Sequence, residues 1–390
     1  MLLSNKLQRI PPYILAKVTQ ETKIARARGE DIIDYGMGNP DLPTPAHIVN
    51  KLVEAASKPA NHRYSVSRGI YKLRLAICDW YQRRYGVTLN PDTEAIATIG
   101  AKEGISHFML GLLNPGDTVI VPTPCYPIHA YSVVIAEGNV ISIPTVPGED
   151  LFAKIAETCR NSWPKPKAVI VSFPHNPTGA VVQLDFFERL VALARQEEFL
   201  IIHDHAYAEL CFDGYKSPSL FQVPGAKDVG VEFYSLSKSY NMPGWRVGFM
   251  TGNAEAVALL ARIKGYLDYG MFAPIQIAAI AALNESQDCV AEIVAAYRAR
   301  RDVLVDGLNK LGWETPKPQG TMFVWSRLPT AYRRLSSVDF AIQLLREAKV
   351  SVAPGAGFGE GGEGYVRFAL IENEERTRQA LRGIKKMLGA

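Results

Sequence analysis

The sequence predicts an α/β fold, with a large domain built on a mainly parallel seven-stranded sheet and a second, smaller α+β domain. The chain has 390 residues, well beyond the roughly 250 to 300 at which a single hydrophobic core stops growing. Short runs rich in valine and isoleucine alternate with longer segments of helical periodicity. These runs are continuously apolar, as strands buried on both faces of a parallel sheet must be.

The strands of the large domain are predicted in chain order from these runs. The first is EAIATIG (94–100), and the segment after it has apolar residues at helical spacing before an Asn-Pro-Gly stop at 114–116. The other strands are TVIVP (118–122), NVISIP (139–144), KAVIVSFP (167–174), FLIIHD (199–204), VEFYSLS (231–237) and RVGFM (246–250). Strands that alternate with helices predict a parallel sheet, so we expect the large domain to span residues 48–288.

The smaller domain is predicted on either side of the large one. A long helical pattern at 290–312 precedes three apolar strand segments, one further helix and a closing helix. The N-terminal segment carries Pro-Pro and GNPDLPTP turns and is expected to pack against this lobe. We therefore assign residues 1–47 and 289–390 to the smaller domain.

Composition and charge exclude several classes of partner. The net charge is only +4, with no basic run longer than a pair, which argues against nucleic acid or a membrane surface. No apolar run approaches the roughly 20 residues that cross a bilayer. The five cysteines form no CxxC pair, so we expect a reducing compartment and a cytoplasmic protein.

Polar residues follow several of the predicted strands at the point where each strand ends. Ligands of open α/β sheets bind beyond the carboxyl ends of the strands. We therefore expect one site formed by the residues that follow these strands, namely Ala101, Lys102, Tyr126, Asn176, Asp204 and Lys238.

These residues lie in motifs that resemble a known family. The segments YSVSRGIYKLRLAI, TIGAKEG, SFPHNPTG, HDHAYAEL, SLSKSYNMPGWRVGF and YVRFAL resemble fold type I aminotransferases of class I and II, which depend on pyridoxal 5'-phosphate. The resemblance implies that Lys238, in SLSK, joins covalently to the cofactor aldehyde. It also implies that Arg246, eight residues later, binds the cofactor phosphate.

The resemblance assigns further residues to the cofactor ring and phosphate. Asp204 matches the aspartate that keeps the ring nitrogen protonated, Asn176 and Tyr207 match the pair that bonds its phenolic oxygen, and Tyr126 matches the aromatic residue stacked on its face. The phosphate would bind the backbone amides of Ala101 and Lys102, the hydroxyls of Ser235 and Ser237, and Arg246. Tyr64 matches a tyrosine that reaches the phosphate of a partner subunit, which implies a homodimer.

Substrate recognition is also implied by the resemblance. Arg367, in YVRFAL, matches the arginine that binds the substrate α-carboxylate, with Asn176 beside it. Gly38, in GMGNP, matches a glycine whose backbone approaches substrate, although a turn glycine explains it equally. The sequence does not identify the group that binds the second carboxylate of glutamate; Arg68 and the N-terminal segment are the candidates.

Two motifs suggest other cofactors. GFGEGG (357–362) matches the glycine pattern of dinucleotide sites, but a strand follows it instead of a helix, so we interpret it as a loop that covers the site. HDH (203–205) could direct two imidazoles to one face of a strand. The sequence suggests no third ligand, and we expect no metal.

The reaction predicted from the resemblance is transamination between an L-amino acid and a 2-oxo acid. The sequence is most similar to bacterial alanine aminotransferases, which pair alanine with 2-oxoglutarate. Aspartate and LL-diaminopimelate aminotransferases remain alternatives, as does a lyase on the same fold, because fold alone does not decide the fate of the carbanion. A ligand-sensing regulator would need a DNA-binding domain for which the chain has no room.

Overall fold

The computed structural model describes residues 3–12, 14–145 and 148–389. Its strands are β1 (Ile33–Asp34), β2 (Ala95–Thr98), β3 (Thr118–Thr123), β4 (Asn139–Pro144), β5 (Ala168–Ser172), β6 (Leu200–Asp204), β7 (Gly230–Ser235), β8 (Gly248–Gly252), β9 (Phe323–Arg327), β10 (Val350–Ser351), β11 (Ala353–Pro354) and β12 (Tyr365–Ala369).

The helices of the described residues vary from one turn to six. They are α1 (Asn5–Gln8), α2 (Leu15–Ala27), α3 (Ala46–Ala56), α4 (Tyr71–Tyr85), α5 (Ala101–Leu112), α6 (Pro127–Ile135), α7 (Leu151–Asn161), α8 (Leu184–Glu197), α9 (Ala226–Val229), α10 (Leu236–Ser239), α11 (Ala254–Leu267), α12 (Ala273–Asn284), α13 (Asp288–Lys310), α14 (Ser337–Ala348) and α15 (Glu374–Leu388).

The central sheet has seven strands in the order β2-β8-β7-β6-β5-β3-β4. The pairs from β7 to β4 are parallel, whereas β8 is antiparallel to both β7 and β2. The predicted α/β fold with a mainly parallel seven-stranded sheet is confirmed.

Helices cover both faces of this sheet. On one face α5 packs against α6 and α11, and the core there includes Phe108, Phe233 and Met250. On the other face α12 packs against α3 and α4, and this core includes Trp80 and Phe249. Residues on both faces of β5 and β7 are buried, which explains why these strands read as unbroken apolar runs.

A third core lies beside the large sheet. It contains the antiparallel sheet β11-β12-β9 and the parallel pair β1-β10, with α13, α14 and α15 packed together around them. Helix α2 packs against α14, but α1 contacts α6, which covers the large sheet. Lys6 of α1 also forms an ion pair at 3.1 Å with Glu137, just after α6. The division at residues 47/48 and 288/289 stays a prediction.

Across residues 3–12, 14–145 and 148–389, no helix combines the length and the apolar character needed to cross a lipid bilayer.

Candidate active site

A cleft of about 270 Å³ opens where the carboxyl ends of the large sheet meet the three-stranded sheet. The cleft contains residues from both ends of the chain and from its middle. It is lined by every residue predicted for the site except Asp204, Tyr64 and Arg68, that is, by Gly38, Ala101, Lys102, Tyr126, Asn176, Tyr207, Ser235, Ser237, Lys238, Arg246 and Arg367.

Lys238 enters the cleft from a one-turn helix that directly follows β7. The side chain of Ser235 caps this helix by accepting a hydrogen bond from the Ser237 amide at 3.3 Å. Lys238 Nζ donates to the Gly38 carbonyl oxygen at 2.8 Å. Burial, followed by the positive charges of Arg367 and Arg246, lowers the pKa of Lys238 to about 7. A substantial share of this amine is therefore uncharged and nucleophilic near neutral pH.

Arg367 lies opposite Lys238, on β12. Its Nη1 donates to Asn176 Oδ1 at 2.8 Å, and Asn176 Nδ2 donates to the Tyr207 hydroxyl at 3.4 Å. The guanidinium carbon lies 3.9 Å from the ring centre of Phe323 and 4.5 Å from that of Phe358. These cation–π contacts hold the guanidinium in the cleft lining, where its N–H groups are suited to a carboxylate.

Gly38 is restricted by the same aromatic ring. A Cβ atom at this position would lie 2.6 Å from two ring atoms of Phe323, and the Gly38 carbonyl accepts the Lys238 bond. The close packing explains the glycine better than a turn does, because only a residue without a side chain fits against this ring.

Asp204 ends β6 just below the cleft. It is 5% exposed, and its Oδ2 bonds His129 Nε2 at 2.8 Å, while Oδ1 accepts from the Ala206 amide at 3.3 Å. Nearby His175 bonds Thr178 Oγ1 through Nδ1 at 2.7 Å. Burial lowers the pKa of His175 to about 3, so this imidazole is neutral near pH 7.

The opposite end of the cleft has the features of an anion site. Gly100, with φ +77°, directly precedes α5, so that the amides of Ala101 and Lys102 begin a twelve-residue helix. A Cβ atom at Gly100 would overlap the Arg246 guanidinium. A glycine at this position therefore leaves room for Arg246 beside the helix end. Among the described residues, the buried Ser237 Oγ has no hydrogen-bond partner. An anionic group such as a phosphate would satisfy this hydroxyl.

Two predicted residues lie outside the cleft of their own chain. Tyr64 is 88% exposed and contacts the ring of Tyr269, with 5.1 Å between ring centres. Arg68 donates to the backbone oxygen of Asp92. Within one chain the structure therefore gives Arg68 no contact with a ligand in the cleft.

Several residues of the site were missed in the sequence. His129 lies three positions after Tyr126 on α6, and its partner Asp204 is 75 residues away, a contact that no local pattern reveals. Leu15 and Thr19 of α2 also line the cleft, as does Phe358. Phe358 belongs to the GFGEGG segment, which forms turns at Gly355–Phe358 and Glu360–Gly362 before β12. Both turns are 3-10 helices and no α-helix begins there, so the segment lacks the geometry of a dinucleotide loop.

The HDH motif acquires a third polar partner in the structure. His203 and His205 lie on one face of the strand end with their rings stacked 4.6 Å apart. Glu232 of β7 brings a carboxylate to both of them. The sequence suggested no third ligand because Glu232 lies on a neighbouring strand.

Sequence comparisons show which family the chain resembles. The sequence model of the family described as aminotransferase class I and II matches residues 30–384. Over 387 residues the chain is 55% identical to the glutamate-pyruvate aminotransferase AlaC of Escherichia coli, which covers 99% of this chain and 94% of that protein. It is 42% identical to the LL-diaminopimelate aminotransferase of Moorella thermoacetica, over 99% of this chain and 98% of the relative.

Solved structures give the same result. The substrate-bound BacF of Bacillus subtilis matches with a TM-score of 0.90 at 33% identity, over 99% of this chain and 98% of that one. A mutant aspartate aminotransferase of Thermus thermophilus matches with a TM-score of 0.91 at 29% identity, over 99% of both chains. The predicted resemblance is confirmed, and the chain belongs to the class I and II aminotransferases, enzymes that move an amino group between an amino acid and a 2-oxo acid.

Proposed function

We propose that the protein uses pyridoxal 5'-phosphate to transfer the amino group of alanine to 2-oxoglutarate, by a two-step ping-pong reaction. The choice of substrates rests on the 55% identity to a glutamate-pyruvate aminotransferase over nearly the whole chain. The cleft supports the choice of cofactor, because it combines an amine of lowered pKa, an anion site and a buried carboxylate.

The residues of the cleft fit the parts of this cofactor. The unpaired Ser237 hydroxyl, the start of α5 and Arg246 would bind its phosphate. Asp204 would stabilise a proton on its ring nitrogen, and the Asn176–Tyr207 pair would bond its phenolic oxygen. The proposal also assigns Tyr126 to the ring face. When bound, the cofactor supplies an electron sink for the negative charge that develops at the substrate α-carbon.

Lys238 has two tasks in this proposal. It would hold the cofactor covalently through Nζ. As a free amine beside the substrate, the same Nζ would accept the proton from the α-carbon. The low pKa of Lys238 serves both tasks, because only the uncharged amine can react with an aldehyde or accept a proton.

Arg367 would bind the α-carboxylate of each substrate. The N–H edge that now donates to Asn176 would form two parallel hydrogen bonds to the carboxylate oxygens. Bonds of this charged kind stabilise a complex by about 1.5–3 kcal/mol. They would also direct the α-carbon toward Lys238, which lines the same cleft.

The lining of the cleft supports alanine as the amino donor. Leu15, Met37 and Phe358 contribute apolar surface to the cleft. A methyl side chain can pack against this surface. LL-diaminopimelate is the second candidate donor, because relatives of that name are 41–43% identical over at least 98% of this chain.

We further propose that the enzyme is a homodimer. Tyr64, Tyr266 and Tyr269 are between 66% and 88% exposed, although aromatic rings are typical of the core of an interface. A second copy would cover them, and Tyr64 would reach the phosphate of the partner subunit. A cytoplasmic location is supported by the five free cysteines, which are typical of a reducing compartment.

The proposal is tested with purified protein supplied with pyridoxal 5'-phosphate. Borohydride reduction should attach the cofactor to the peptide that contains Lys238, as measured by mass spectrometry. Alanine, aspartate and LL-diaminopimelate are then compared as donors to 2-oxoglutarate, with product formation as the readout. We expect alanine to have the highest kcat/KM. A faster reaction with either of the other donors would refute the substrate assignment, and an unmodified Lys238 would refute the cofactor assignment.

A further inference from the structure

Glu232 is a carboxylate fully buried under the active site. It lies in the middle of β7 and is 0% exposed. Four groups donate hydrogen bonds to its two oxygens at 2.8–2.9 Å, from α4, from the segment before β7 and from β6: the Tyr81 hydroxyl, the Ser219 hydroxyl, the Leu220 amide and His203 Nδ1. A buried charge with this many donors maintains a defined local structure, because each lost donor exposes an unpaired charge.

Two of the partners of Glu232 flank Asp204 in the sequence. His203 Nδ1 lies 2.8 Å from Glu232 Oε2, and His205 Nδ1 lies 3.3 Å from Oε1. The second nitrogen of each ring is also held, by the Phe173 backbone at 3.2 Å and by Ser217 Oγ at 2.8 Å. Both imidazoles are thus fixed on one face of the strand end.

Asp204 must point to the opposite face, because successive side chains of a strand alternate. On that face its carboxylate meets His129, below the cleft. Its backbone cannot rotate without moving both stacked imidazoles. Glu232 also lies three residues before Ser235, at which β7 ends and the helix of Lys238 begins.

We propose that Glu232 is a positioning residue, which fixes the spacing between Asp204 on β6 and Lys238 beyond β7 by joining the two strands through His203 and His205. This inference rests on the proposed function, in which Asp204 and Lys238 bind opposite ends of the cofactor ring. Glu232 itself touches neither substrate nor cofactor, since it lies on the other face of the sheet.

The same three side chains have the composition of a metal site. The possible ligand atoms of His203, His205 and Glu232 all lie within 4.8 Å of one another. Hydrogen bonds account for most of the cluster without an ion, because the carboxylate already has four donors and three of the four imidazole nitrogens have partners. The exception is His205 Nδ1, which lies 3.3 Å from Glu232 Oε1 but forms no hydrogen bond with any described residue. A stoichiometric metal in the purified protein would overturn the positioning role.

The decisive variant is Glu232→Gln, which keeps the shape and removes the charge. The amide group can be accommodated with its oxygen at the Oε2 position, where the Leu220 amide and His203 Nδ1 donate. Its nitrogen then lies at the Oε1 position, where the Tyr81 and Ser219 hydroxyls can accept. The contact between residue 232 of β7 and His203 of β6 then no longer involves a negative charge. We expect kcat for alanine to fall about tenfold, as is typical of a small displacement of reacting groups, with KM changed less than about threefold.

A spectroscopic readout separates this role from a general loss of stability. The pH at which the absorbance of the bound cofactor changes depends on how Asp204 and Lys238 are placed around it, and we expect Glu232→Gln to shift this pH by about half a unit or more. Tyr81→Phe is the matched control, because it removes one donor from the same carboxylate and leaves the bond between His203 and Glu232 Oε2 in place. We expect it to lower the melting temperature and to leave the absorbance titration unchanged.

If Glu232→Gln does not fold, a second pair of variants tests whether the contact between His203 and Glu232 positions Asp204 and Lys238. His203→Asn keeps a donor near Nδ1, whereas His203→Leu removes it. We expect the absorbance titration to shift with leucine and to stay near that of the wild type with asparagine. Equal titrations for wild type, Glu232→Gln and His203→Leu would overturn the inference, as would a shift in Tyr81→Phe as large as that in Glu232→Gln. The proposed function fails separately, if borohydride does not link the cofactor to Lys238 of the wild-type protein.

Discussion

The lowered pKa of Lys238 can be tested in the cofactor-free protein, and Arg367→Gln is the informative perturbation. Burial is the largest cause of the shift from 10.5 to about 7, and the charge of Arg367 is the next. At pH 7 an amine of pKa 7 is about half neutral, whereas one of pKa 10.5 is about 0.03% neutral, a difference of roughly a thousandfold. Removing one nearby positive charge should raise the pKa of Lys238 by about one unit.

The assay is competitive acetylation with acetic anhydride at a series of pH values, followed by mass spectrometry of the Lys238 peptide. Reactivity should rise through pH 7 in the wild type and level off above it, because only the neutral amine reacts. In Arg367→Gln the midpoint should move upward, whereas Arg367→Lys keeps the charge and should leave it in place. Lys51, whose pKa its hydrogen bond to Glu54 raises, provides an internal standard that reacts at higher pH.

The reasoning is refuted if Lys238 of the wild type titrates together with Lys51, or if Arg367→Gln and Arg367→Lys have the same midpoint. Circular dichroism establishes that each variant is folded. Arg246→Gln gives a second measurement, since Arg246 is the other cation that lowers the pKa of Lys238.

Three further predictions concern substrate, packing and assembly. Arg367→Lys should raise the KM for alanine about 10- to 150-fold, corresponding to about 1.5–3 kcal/mol for the lost charged bond; a change below threefold in steady-state kinetics would contradict its role. Gly38→Ala should lower the free energy of unfolding by about 1–3 kcal/mol, because the methyl group would meet the Phe323 ring. Gly244→Ala, which meets no described atom within 4 Å, is its neutral control in thermal unfolding. Tyr64→Phe should weaken cofactor binding about fivefold in equilibrium dialysis through loss of one hydrogen bond, without changing the melting temperature, because Tyr64 is 88% exposed; unchanged affinity would argue against a role across the dimer.

The sequence predicted the strands well where apolar runs end in an ordinary turn, and less well beside the active site. The run VEFYSLS suggests a strand to residue 237, but β7 ends at Ser235 because its hydroxyl caps the helix of Lys238. The run RVGFM suggests a strand from residue 246, but Arg246 has a left-handed backbone with φ +57° and β8 begins at Gly248. In both places the backbone that departs from the strand carries a predicted site residue.

The direction of β8 was not visible in the sequence. An apolar run has the same pattern in a parallel and an antiparallel strand when both faces are buried. The connection from β7 to β8 contains only the turn of α10 and a short turn at Pro243–Trp245. A connection this short reverses the direction of the chain, so β8 runs antiparallel to β7. A parallel strand would need a full crossover connection.

The residues of the cleft were largely predictable because the motifs that contain them are local. Their partners were not, because the contacts join distant parts of the chain. His129 and Asp204 are 75 residues apart, Arg367 and Asn176 are 191 apart, and His203 and Glu232 are 29 apart on adjacent strands. Only the order of strands in the folded sheet brings the last pair together.

The aromatic rings beside Arg367 limit the anions that it can bind. With the ring centres of Phe323 and Phe358 only 3.9 Å and 4.5 Å from the guanidinium carbon, we expect a ligand to approach along the guanidinium edge. A flat carboxylate fits this slot with both oxygens in one plane. The third oxygen of a phosphonate would point at the electron-rich face of a ring, so aminophosphonate analogues of alanine should be poor inhibitors of this enzyme even though they have the greater negative charge.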